Sequence, residues 1–153
     1  EYRNSPIGYV GVVLGNKFIE DNLSNVNSFK LTRNWVLASL GRDFFFELIS
    51  RSRRVGFIGP HGSIGKYLVE MGAYRVDSII IPSDNIVPNE VMVPHYPDFF
   101  NHIMSQIHRG VSGLWLVSAG AFGKIYCNEI KRAGGVALDI GSLSDQWMRL
   151  STR

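Results

Sequence analysis

Cysteine is nearly missing from this chain. Cys127 stands alone among 153 residues, so no internal disulfide can brace the fold and stability has to come from packing. Inside a predicted helix, a lone thiol reads as a small buried side chain and not as a nucleophile. Long apolar runs are missing too: none reaches the ~18–20 residues that span a bilayer, and no signal peptide opens the sequence. Cytoplasm is the expected compartment. Charge of one sign is scarce: the net charge is +3, and basic residues are scattered apart from Arg51-Ser-Arg-Arg54, which reads as a solvated loop ahead of a strand. Nothing in that pattern calls for nucleic acid. The histidines His61, His95, His102 and His108 lack metal-ligand spacing, so no metal ligand is assigned. No serine sits in a Gly-x-Ser-x-Gly elbow and Cys127 has no evident base, which leaves no nucleophilic triad to assemble.

What remains is the composition of an ordinary globular protein, with 45% hydrophobic and 19% charged residues. The length suits one domain with a real core, here residues 1–153, and the initial Glu1 suggests a piece of a longer chain. Ile7–Leu14 is apolar and β-branched, though two glycines weaken it as a strand. Phe29, Leu31, Trp35, Val36 and Leu40 give a helical stripe that Gly41 should stop, and a second helix is predicted over Arg42–Ile49 with Phe44, Phe45, Leu48 and Ile49 inward.

From Arg54 the elements alternate. Strands are predicted at Val55–Ile58, Ser78–Ile81, Leu114–Val117 and Val136–Ile140. Helices are predicted at Ser63–Met71, Pro97–His108, Phe122–Arg132 and Leu143–Leu150. Continuous apolar strands alternating with helices imply an α/β fold: a three-layer, Rossmann-like, mainly parallel sheet flanked by helices. Pro82–Pro94, at ~13 residues with three prolines, is a loop long enough to serve as a lid or binding loop. The His95-Tyr96-Pro97-Asp98 segment reads as a helix start, with Asp98 near the positive helix end.

Two stretches repeat one design. Val55-Gly-Phe-Ile-Gly59-Pro-His61-Gly62-Ser-Ile-Gly65-Lys66 and Leu114-Trp-Leu-Val-Ser118-Ala-Gly120-Ala-Phe-Gly123-Lys124 each run from apolar strand through a glycine turn into a helix with an early lysine. The first N–H groups of a helix lack partners within it, and the peptide dipoles add partial positive charge there, so such an end favours an anion. The first turn fits neither the dinucleotide fingerprint nor the Walker spacing. It reads either as an anion-accepting turn or as glycine permitting close helix packing, with His61 as a phosphate contact, a base or a solvated turn residue. The second turn resembles the dinucleotide pattern with Ser118 in place of its first glycine. Fifteen residues past Lys124, Asp139 closes the next strand, where an acidic residue would meet a ribose. Ser142 then either contacts ligand or, like Ser144, caps the last helix.

Leu116-Val-Ser-Ala-Gly-Ala-Phe-Gly-Lys-Ile-Tyr-Cys through Ala137-Leu-Asp-Ile-Gly-Ser142-Leu-Ser-Asp145 resembles the carboxyl-terminal block of bacterial proteins of the GT-D glycosyltransferase fold. The likeness extends to Leu40-Gly-Arg-Asp-Phe-Phe, Val55-Gly-Phe-Ile-Gly-Pro-His and His95-Tyr-Pro-Asp, and covers roughly residues 35–153. It implies a Rossmann-like sheet that binds a nucleotide sugar and transfers the sugar to a glycan or glycosylated acceptor, in surface-polysaccharide or protein glycosylation. By that likeness Gly120, Gly123 and Lys124, with Gly59, Gly62 and Ser118, would line the donor. Asp139 and Ser142 would meet its hydroxyls, and His61 or Asp145 would be the base. Members of this fold carry an Asp-x-Glu that holds a divalent metal, Mn or Mg, and this chain has none. Either that segment precedes Glu1, or Lys66, Lys124 and the two helix ends neutralise the leaving diphosphate. The alternatives are an NAD(P)-binding oxidoreductase-like domain and a non-catalytic nucleotide-binding or assembly module.

Overall fold

Two adjacent strands, β1 (Val55–Gly59) and β3 (Leu114–Val117), are buried at every position. A strand can be apolar on both faces only if both are covered, and here helices cover both. The structure is a computed structural model that describes residues 40–82 and 94–151, all within one compact unit. Along the chain these residues form α1 (Gly41–Ser50), β1, α2 (Ile64–Glu70), β2 (Val76–Ile80), α3 (Asp98–His108) and β3. A single 3₁₀ turn (Gly120–Phe122), α4 (Gly123–Arg132), β4 (Val136–Asp139) and α5 (Leu143–Ser151) follow.

The sheet is parallel throughout, in the order β2-β1-β3-β4. Val55 lies opposite Val76 on one side and Leu114 on the other, and Leu114 in turn faces Val136. Strand alternation then sorts the core. Val55, Phe57, Leu114 and Leu116 pack with α1, α2 and α5 through Phe45, Ile49, Ile64, Leu68, Leu143 and Trp147. Ile58, Trp115 and Val117 pack on the opposite face with Ile103 and Ile107 of α3 and Tyr126 and Ile130 of α4. Right-handed crossovers require this split, because β1 to β2 runs one way across the sheet and β2 to β3 to β4 runs the other.

The α/β reading therefore holds, and each strand and helix predicted from Val55 onward is present with ends moved by a residue or two. The largest change is β2, which begins at Val76 and not at Ser78. Gly41, with φ +76°, opens α1; the helix it was expected to stop lies outside the described residues. Of the apolar face expected on α1, Phe45 and Ile49 are buried and Leu48 partly so, while Phe44 is 42% exposed. The strand expected at Ile7–Leu14, the Phe29–Leu40 stripe except for Leu40, which is exposed, and most of the Pro82–Pro94 loop lie outside the described residues.

Trp147 joins the three helices of the first face. Its ring meets Phe45 of α1 edge-on at 5.1 Å and stacks on Tyr67 of α2 at 5.7 Å. On the other face the tightest constraint is between strands: Gly56 lies directly opposite Trp115, and a Cβ at Gly56 would stand 2.2 Å from the indole ring. Only a residue without a side chain leaves that indole its place. Gly56→Ala is expected to destabilise the protein by about 1–3 kcal/mol, as overpacked cores do. Thermal and urea denaturation would measure the loss, and Trp115→Leu in the same chain should recover part of it.

Candidate functional site

The direction of chain progression reverses between β1 and β3, so the turns leaving these neighbouring strands sit side by side at the carboxyl edge of the sheet. Open α/β sheets bind ligands in the crevice at such a reversal, because successive helices there diverge to opposite faces. The two glycine turns singled out in the sequence are these two turns. A third segment joins them: after β4 the chain turns at Gly141 and enters α5, whose first residues reach back to both.

His61 and Asp145, named separately as candidate bases, meet. His61 Nε2 lies 2.6 Å from Asp145 Oδ1, although the residues are 84 positions apart. Their side chains are 26% and 35% exposed, sheltered enough to strengthen the contact and open enough for a ligand to reach. A carboxylate without a proton can only accept, so across this contact the imidazole donates from Nε2; with a single ring proton its Nδ1 carries the lone pair. This is the arrangement of a base oriented by an acid. Three residues along α5, Met148 receives a hydrogen bond on Sδ from Ser63 Oγ at 3.4 Å, a second tie between α5 and the β1 turn.

Ser118 is buried at the end of β3. Its hydroxyl donates to the Gly141 carbonyl at 2.6 Å and lies 2.8 Å from the hydroxyl of Ser144, which has no exposed surface. The serine that replaces the first glycine of the dinucleotide pattern is thus committed within the protein. Ser144, considered as a helix cap, instead ties α5 to the strand end. Gly59 is buried beneath the Phe57 ring and close to Ser118 Cβ, so packing accounts for this glycine, whereas Gly62 has open space where a side chain would stand.

Asp139, Lys124 and Gly123 are also brought together. The Asp139 carboxylate accepts from the Gly141 N–H at 3.1 Å and pairs with Lys124, and it rests against the backbone of buried Gly123. Gly120 and Gly141 both take φ +51°, the left-handed turn geometry that glycine adopts without strain. Ser142 is exposed, and its carbonyl accepts the Asp145 N–H at 3.1 Å. Lys66 is exposed in the first turn of α2, and the Lys124 side chain is 77% exposed. Among the described residues, no three histidine, cysteine, aspartate or glutamate side chains gather as a metal ion would need.

The sequence missed one cluster. His95, read only as the prelude to a helix, bonds through Nε2 to the hydroxyl of Tyr126 and stacks on Phe122 at 4.4 Å. Phe100 closes on both Phe122 and Tyr126 at 5.8 Å. Burial drives the Tyr126 phenol far above its ordinary value, so it stays protonated. Phe122 belongs to the 3₁₀ turn after β3, which places this aromatic group under the second glycine turn. No spacing rule pairs position 95 with 126; only the packing of α3 against α4 does.

Cys127 is half-buried, and its thiol is pushed up to about 11, first by burial and then by the Asp139 charge, with Lys124 opposing. Below that value the unreactive thiol dominates. Alkylation by iodoacetamide at pH 8 is expected to be about tenfold slower than for a free cysteine, and to accelerate as pH rises toward 11. Asp139→Asn removes a charge that holds the proton on and should speed the reaction at fixed pH. Mass-spectrometric time courses would record both effects.

No protein-family model matches this chain, and comparison with curated proteins and with solved structures likewise finds no match.

Proposed function

We propose that this chain carries the donor site and general base of a nucleotide-sugar glycosyltransferase. The observation that carries the reading is the His61–Asp145 hydrogen bond at the reversal point of a parallel sheet, where ligands of such sheets bind. The resemblance of the β3–α4–β4–α5 block to the GT-D fold supports the same reading. In this proposal the acceptor hydroxyl attacks the anomeric carbon of the donor while its proton passes to Nδ1 of His61. The carbon–oxygen bond to the diphosphate breaks, and the nucleoside diphosphate leaves with the bonding electrons. Asp145, accepting from Nε2, stabilises the imidazolium that forms. The exposed Lys66 and Lys124, with the amides of the neighbouring turns, offset charge on the leaving group. No step is routed through a metal ion.

One feature weighs against the dinucleotide alternative: Ser118, its hydroxyl committed to the Gly141 carbonyl, stands where that fingerprint needs its first glycine.

Nucleoside diphosphate sugars, screened with and without manganese, are expected to raise the melting temperature, as any ligand of the folded state does, and nicotinamide dinucleotides are not. His61→Ala should keep that shift and lose about 10²–10⁴-fold in donor turnover, the usual contribution of a general base. A panel with no stabilising donor, or a His61→Ala protein with unchanged turnover, would overturn the proposal.

A further inference from the structure

We infer that the buried hydroxyl pair Ser118–Ser144 is a positioning device that aims Asp145 at His61. The inference takes its functional meaning from the base proposed above, but its geometry stands apart from the reaction. A hydroxyl has one proton to give. The Ser118 proton is committed to the Gly141 carbonyl at 2.6 Å, because a carbonyl cannot donate; Ser144 therefore donates its own proton to Ser118 Oγ across 2.8 Å. The result is a directed chain, Ser144 to Ser118 to Gly141, inside a region where Ser144 is 0% and Ser118 8% exposed. It fastens the first turn of α5, and the loop leading into it, to the end of β3.

Ser144 and Asp145 are consecutive, and each helical residue turns the chain by about 100°. Fixing the direction of Ser144 therefore fixes that of Asp145. Trp147, three positions on, is buried on the same side as Ser144 and holds the same rotation one turn further along. Asp145 and Met148, also three apart, then face the β1 turn together and meet His61 and Ser63. An apolar pair at 118 and 144 would fill the volume and avoid the cost of burying two hydroxyls, but it would not set a direction. The hydroxyls, in this inference, trade some stability for an angle. Ser118 and Ser144 are positioning residues, and no contact with substrate is assigned to them.

The test reads the His61 Nε2–H proton directly by NMR of the ¹⁵N-labelled full chain, with the resonance identified by its loss in His61→Gln. In the unsubstituted protein this proton should be protected from exchange by Asp145. Exchange should be about tenfold faster in Ser144→Ala and in the double variant Ser118→Ala/Ser144→Ala, because the contact opens more often. Ile49→Val, which loosens the same core without touching the hydroxyls, should leave the exchange rate unchanged. Ser144→Ala alone keeps the Ser118–Gly141 bond and serves if the double variant does not fold. If a donor is turned over, the serine variants should lower kcat and leave KM in place. Unaltered exchange in the serine variants, equal acceleration in Ile49→Val, or an unprotected Nε2–H in the unsubstituted protein would overturn the inference. Faster exchange in the serine variants of a protein that turns over no nucleotide sugar would uphold the positioning role and remove the transferase reading.

Discussion

The indole of Trp115 takes the space that a side chain at Gly56 would occupy, and this contact between β1 and β3 is the constraint on which the architecture turns. It sets the two central strands in register with a large aromatic surface on one face. With both faces apolar, neither strand can stand at a solvated surface, so helices must cover each side. Those helices reach opposite faces only if the chain reverses direction between β1 and β3. The same packing that satisfies the core therefore sets the turns after β1 and β3 side by side at the carboxyl ends of these strands.

That edge of the sheet is held by polar ties as well as by strand pairing. Strand ends leave polar groups behind, and here the three turns satisfy one another: Ser118 with Gly141 and Ser144, Asp139 with the Gly141 N–H, His61 with Asp145. Among the described residues, no buried side-chain nitrogen or oxygen lacks a hydrogen-bond partner. Burying polar groups costs free energy unless each is paired, so a network of this kind is stable only when complete. Completeness also makes it directional, since each bond restricts the angle of the segment that bears it.

Burial separates the ion pairs into kinds. Arg51–Glu47 and Lys124–Asp139 each include a largely exposed cation, where water and salt screen the attraction and a pair contributes little. His108 approaches Glu129 at 3.5 Å on the outside of the α3–α4 layer, in the same solvated setting. His61–Asp145 is shorter than the His108 pair and partly sheltered on both sides. The difference is one of environment, because the same two kinds of side chain occur in each histidine pair. That environment makes the imidazole at position 61 a candidate for chemistry and the one at 108 a surface residue.

Much of this molecule was written locally. Continuous apolar runs at Val55 and Leu114 announced strands buried on both faces, and their alternation with helices announced what covers them. The glycine turns marked the carboxyl edge at which β1 and β3 end side by side. These are signals of short range, carried by spacing of two or of three to four residues, and a sequence holds them in full. Partnership is of longer range. That His61 belongs with Asp145, Ser118 with Ser144, and His95 with Tyr126 follows from strand order and helix rotation, which no local period encodes. The sequence by itself determined which elements form and which faces they bury; the tertiary structure alone decided which polar groups meet, because those meetings depend on how distant elements rotate and dock against a shared core.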